Sequence, residues 1–281
     1  MIALDVPRRS RSGELSALAA LFALTIRQHT HGRRLLVLGL LYLLPCILVV
    51  VLRNLPNTAP AEVLEFAFAF TLLPHGLVPL TALLYAAGVI ADEVEEQTLT
   101  YLLLRSMPRW AIYFTKLLAT FVVTTLLIAV AVLTLYTAIY AGTPGFTTDA
   151  LPRAGRVIVV MALAQVGYCA LFGFLGLFTK RSLVAGIAYI VAIEGVLANL
   201  DFVGRSLTIV YYVRTLNLSW LELSREQLRR CQEAWGMTEL ELLPLPRTCV
   251  LILLGFGLAV ALLSAHWFAS REFRVKTPGS D

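Results

Sequence analysis

The sequence predicts an all-α integral membrane protein. It has six transmembrane helices, an N-terminal interfacial helix and a helical extracytoplasmic loop before the last span. Three observations lead there. Hydrophobic residues form 58% of the 281-residue chain and charged residues only 15%, against about 45–50% and about 25% in a soluble domain. Apolar windows of about 20 residues, long enough for a hydrocarbon core of about 30 Å, recur six times. Lys and Arg are denser on segments of one side than on the two short loops of the other, while six more lie in the longer 201–247 loop, whose membrane-distal charges are weaker topology signals. Backbone groups in lipid have no water to bond, so the windows are helices rather than open strands.

Residues 1–34 form a cytoplasmic N-terminus. Arg8, Arg9 and Arg11 followed by Leu15–Ile26 superficially resemble a signal peptide. That apolar stretch instead runs directly into Arg27, His29, His31, Arg33 and Arg34, with no cleavage site before them. At about 12 residues it is too short to span a bilayer. A helix lying in the membrane interface is the expectation, with His29 and His31 at the lipid head groups.

The transmembrane domain covers 35–268, with spans at Leu35–Leu52, Phe66–Ile90, Leu117–Tyr140, Val157–Phe178, Leu183–Leu200 and Cys249–Phe268. With the N-terminus cytoplasmic, inside segments hold fourteen Lys and Arg residues and the two short outside loops hold Arg53, Arg153 and Arg156. Both termini are therefore expected in the cytoplasm, with 269–281 as a cytoplasmic tail and the chain in the plasma or inner membrane. The net charge of +5 flanks apolar runs, where lipid head groups take it up, so nucleic acid is not an expected partner. Cys46, Cys169 and Cys249 sit in apolar runs and Cys231 in a polar loop, which gives neither a disulfide framework nor a metal motif.

The outer loop, 201–247, is structured. Ser224 with Gln227 forms a capping box, and Gly236 is placed to end that helix. Thr238 and Glu241 repeat the signal before Pro244. Upstream, Ser206–Asn217 is amphipathic and aromatic and could dip into the outer leaflet. A lid over an external exit and a surface ornament are both open readings.

The segment 91–116 is the most informative. Asp92, Glu93, Glu95 and Glu96 cluster where a cytoplasmic helix should start, and there carboxylates oppose the positive end of the macrodipole. Their spacing allows a metal site, but no histidine is near and none is expected. Leu99, Leu102 and Leu103 then form an apolar face, and Arg105 and Arg109 anchor the return to the membrane. A polar helix held between two spans is suited to receiving force from a soluble partner.

The pattern Glu93-x-Glu95-x-x-Thr98-Leu99, Leu102-Leu103, Arg109 and Lys116 resembles the signature of permease subunits of type-2 ATP-binding-cassette exporters. It departs from that signature at Gln97, where glycine is usual, and at Ser106, where proline is usual and Pro108 stands beside Arg109 instead. The resemblance implies a dimeric translocator, homo- or heterodimeric, each subunit docking its cytoplasmic helix into a cleft on a separate ATPase. Asp92, Glu93, Glu95, Glu96, Thr98, Leu99, Leu102, Arg109 and Lys116 would carry that coupling. ATP and Mg would belong to the partner, because no G-x-x-x-x-G-K-[ST] occurs here to cradle phosphates.

Inside the membrane, Glu194 stands late in the fifth span, where an exposed charge costs about 2.5–3.5 kcal/mol or more. It either faces a translocation path or holds helices together. Pro74, His75 and Pro79 predict a bent or broken second span, as a hinge or a static kink. Gly257, Ala261 and Ala265 recur every four residues, the spacing of close helix packing. An ion-driven secondary transporter would show inverted repeats, and an intramembrane enzyme a paired Ser/His, Asp/Asp or His-Glu-x-x-His set. Neither pattern is present.

Overall fold

The computed structural model describes residues 11–56, 59–95, 107–179, 181–200, 203–237 and 244–270. Among them no strand occurs. Helix α1 (Arg11–His31) is followed by six helices long and apolar enough to cross a membrane: α2 (Arg33–Arg53), α3 (Ala61–Glu93), α4 (Arg109–Tyr140), α5 (Phe146–Phe178), α6 (Ser182–Asn199) and α9 (Pro246–Ser270). Between the last two lie α7 (Ile209–Trp220) and α8 (Arg225–Trp235).

The bundle is built around α3 and α5. Of the residues in their central windows 61% are buried, against 17% in α6. Small residues allow the closest approaches. A Cβ at Gly176 would overlap the carbonyl oxygen of Ala87, so α5 and α3 meet backbone to backbone. A Cβ at Gly257 would strike Val166, and Ala261 and Ala265 on the same stripe are buried. The small-residue stripe of α9 thus packs within the chain, against α5.

The second span, expected to be bent or broken, does not break at its prolines but departs there from regular α-helix. Residues Glu65–Leu77 form π-helix, and regular α-helix resumes at Val78–Ala86 with Pro79 in its first turn. A proline ring clashes with the carbonyl four residues back in an α-helix, and the wider π turn moves that carbonyl away. Pro74 and Pro79 are therefore absorbed without interrupting α3.

Helix α7 is not a surface ornament. Its residues Ile209–Tyr211 and Val213–Leu218 are all buried, against α5, α9 and the π segment of α3. It plugs one end of the bundle. Helix α8 begins with the expected capping box, Ser224 Oγ accepting from Gln227 N and Gln227 Oε1 accepting from Ser224 N, and ends at Gly236 with φ 62°.

Candidate functional site

Two polar clusters terminate α3, one at each end. At the end shared with α1, Arg34 of α2 grips Asp92 with a two-pronged ion pair, Nη1 to Oδ2 at 2.7 Å and Nη2 to Oδ1 at 2.9 Å. Both side chains are part exposed. One residue on, Lys116 of α4 donates to Glu93 Oε1 at 2.5 Å and to the Val89 carbonyl at 3.1 Å, and this pair is buried. Asp92 and Glu93 occupy the last turn of the membrane-crossing α3, not the first turn of a new helix. That corrects the expectation from charge alone. The negative pole of α3 disfavours carboxylates there, and two cations from neighbouring helices offset it.

Helix α1 joins the same cluster. The Thr120 hydroxyl donates to the Lys116 carbonyl, so its oxygen accepts from His29 Nε2, 2.9 Å away. The Tyr85 hydroxyl donates to the His29 carbonyl at 3.3 Å and its ring meets the imidazole edge-on. Burial, followed by the positive charges of Lys116 and Arg34, lowers the His29 pKa to about 4. His29 is a neutral packing residue and not a head-group contact; His31 alone of the two is exposed. The elbow therefore binds α1, α2, α3 and α4 into one block.

At the opposite end the hub is Glu65, fully buried in the π segment of α3. Its Oε1 accepts from Tyr136 OH at 2.7 Å. Its Oε2 accepts from Tyr140 OH at 2.6 Å, Arg153 Nη1 at 3.1 Å and Gln227 Nε2 at 3.0 Å. Four donors from α4, α5 and α8 thus satisfy one carboxylate, as a buried charge requires. Gln227 does two things here: its carbonyl oxygen closes the capping box while its amide holds Glu65. Trp235 adds an aromatic contact to Phe66, with ring centroids 5.9 Å apart.

Glu194 and His75 serve the same end. The Glu194 carboxylate accepts from the backbone of Ile209 at 3.1 Å and Val210 at 3.0 Å, and from Tyr189 OH at 2.9 Å. With the Thr208 side chain accepting from Tyr211 N, it satisfies the first-turn amides of α7 and opposes the positive end of its dipole. His75 Nδ1 donates to the Thr71 carbonyl and its Nε2 accepts from the buried Arg214. Arg214 also donates to Ala198 O and Asn199 Oδ1 and lies over the Trp235 ring. In this structure both side chains are engaged in seating α7.

With that geometry in place, the comparison with known families is decisive. The family model described as ABC-2 family transporter protein matches residues 19–197. The chain belongs to the ABC-2 transporter family. The match runs from α1 to α6 and so takes in both the elbow and Glu65. No curated protein matches the chain. As an ABC-2 membrane subunit it is an ABC transporter permease, a transport subunit rather than an enzyme.

Among the residues expected to carry coupling, the fold brings together Glu93 and Lys116, with Asp92 beside them on Arg34. Arg109 stands exposed at the first position of α4, behind Pro108. Glu95 closes the described helix; its side chain lies outside the described residues, as do Glu96, Thr98, Leu99 and Leu102. Sequence reasoning missed Arg34 as the partner of Asp92, and missed Glu65 entirely. A carboxylate beside Phe66, at the border of an apolar window, was the available signal for Glu65.

Proposed function

We propose that this ABC-2 permease is one half of a dimeric exporter, homo- or heterodimeric, powered by a separate ATPase that binds Mg and ATP. The ATPase grips the stretch at residues 95–106 on the cytoplasmic side, where both termini also lie. The buried Glu93–Lys116 pair, 2.5 Å apart at the base of that stretch, is the observation that supports this reading most. Together with Arg34–Asp92 it makes α1, α2, α3 and α4 respond as a block to force on the elbow.

Helix α3 passes that displacement to Glu65 near its other end. There Tyr136, Tyr140, Arg153 and Gln227 hold α4, α5 and α8 closed over the outer end. Nucleotide-driven closure of the ATPase biases a two-state equilibrium between this clasped arrangement and one open to the outside. Cargo leaves along the path formed with the second permease, and the surrounding lipid seals the rest of the bundle.

Because Glu93 faces Lys116, the surface offered to the ATPase begins at Glu95. The test is co-purification from native membranes. Reversing Glu95 and Glu96 to Lys is expected to release an ATP-binding-cassette ATPase that stays with the unaltered chain, while the permease remains folded. An ATPase retained equally by both proteins would refute the proposal.

A further inference from the structure

A cavity of about 410 Å³ opens beside the elbow, walled by Gln28, His31, Gly32 and Arg33 on one side and by the two ion pairs on the other. Asp92 and Glu93 neutralise Arg34 and Lys116. Arg33 is exposed and has no carboxylate partner among the described residues. The cavity therefore has a surplus of positive charge, together with the Gln28 amide and a histidine.

We propose that this cavity holds the phosphate of an anionic lipid head group, with Arg33 as its charge partner. The start of α2 favours the same ligand. Its N-cap is Gly32, which supplies no side-chain acceptor for the first-turn amides, and such an uncapped end attracts anions. The apolar surface that follows selects a lipid over free phosphate. Leu36, Leu40 and Leu44 are 75%, 65% and 56% exposed, and at intervals of three and four residues they share the face of α2 that Arg33 begins. A phosphate seated at Arg33 has its acyl chains laid directly along that stripe. The site belongs to the permease alone and does not depend on the ATPase reading.

Native mass spectrometry of the full chain in detergent tests this, with phosphatidylglycerol and phosphatidylcholine added in equal amounts. Preferential retention of one phosphatidylglycerol is expected. Arg33→Gln should lower that retention about tenfold, the worth of one charge-assisted contact. Arg33→Lys should restore most of it, and Arg229→Gln on α8 should leave it unchanged. Displacement of the lipid by excess inorganic phosphate would support recognition through the phosphate. Equal retention of the zwitterionic lipid, undiminished retention in Arg33→Gln, or phosphate binding without lipid retention would overturn the proposal.

Discussion

Replacing Glu93 by alanine is expected to destabilise the bundle by about 3–5 kcal/mol, because it leaves the buried Lys116 ammonium without its counter-charge. The cost comes from the cation left behind more than from the lost attraction. Removing both charges should therefore be far milder: the double variant Glu93→Leu with Lys116→Met replaces the pair by apolar groups of similar length and should recover most of the thermal stability. If the elbow transmits force, that double variant should fold yet couple ATP hydrolysis to transport poorly. The Arg34–Asp92 pair supplies the internal comparison. Its side chains are 42% and 36% exposed, so breaking it should cost only about 0.2–1 kcal/mol. Thermal unfolding of the four single variants and the two doubles measures both couplings. Single-variant losses at Glu93 and Lys116 that simply add would refute a functional pair.

The second large effect is expected at Glu65. Alanine there removes the shared acceptor of Tyr136, Tyr140, Arg153 and Gln227 in one step. Arg153 is 19% exposed and keeps its bond to the Glu222 carbonyl, which places the loss near the lower end of about 3–5 kcal/mol. Glu65→Gln should be little better. Its amide nitrogen would face donors, and one oxygen cannot accept from all four. The loss should concentrate in α8, which is fastened to α3 mainly through Gln227 and Trp235. Amide exchange in Arg225–Trp235 should accelerate at least about a hundredfold, since each 1.4 kcal/mol is a factor of ten. Exchange confined to the rest of the bundle, with α8 unchanged, would show that Glu65 does not clasp it.

Much of this architecture is legible in the sequence because length and hydropathy dominate helix formation in lipid. All six windows became helices. Their starts were read late wherever a polar turn precedes the apolar run. Helix α4 begins at Arg109 rather than Leu117, and α5 at Phe146 rather than Val157. Arg153 and Arg156 looked like loop charges, yet they are helical and reach Glu65 and Glu222. The acidic cluster pointed to the wrong helix end, because local charge reports a dipole preference but not which cations lie across the fold. The partners of Glu65 were illegible for the same reason: all four are 71 to 162 residues away in the chain. The capping box of α8 is local and was read correctly, while the second bond of Gln227 is not.

The central claim is that the stretch between α3 and α4 faces the cytoplasm, where an ATPase can seize it, while α8 faces outward. Labelling from outside intact cells decides it. With Cys46, Cys169, Cys231 and Cys249 replaced, a membrane-impermeant maleimide should modify Arg229→Cys readily and leave Gln97→Cys untouched until the membrane is opened. Modification of Gln97→Cys in sealed cells would put the elbow on the wrong side of the bilayer and contradict the account.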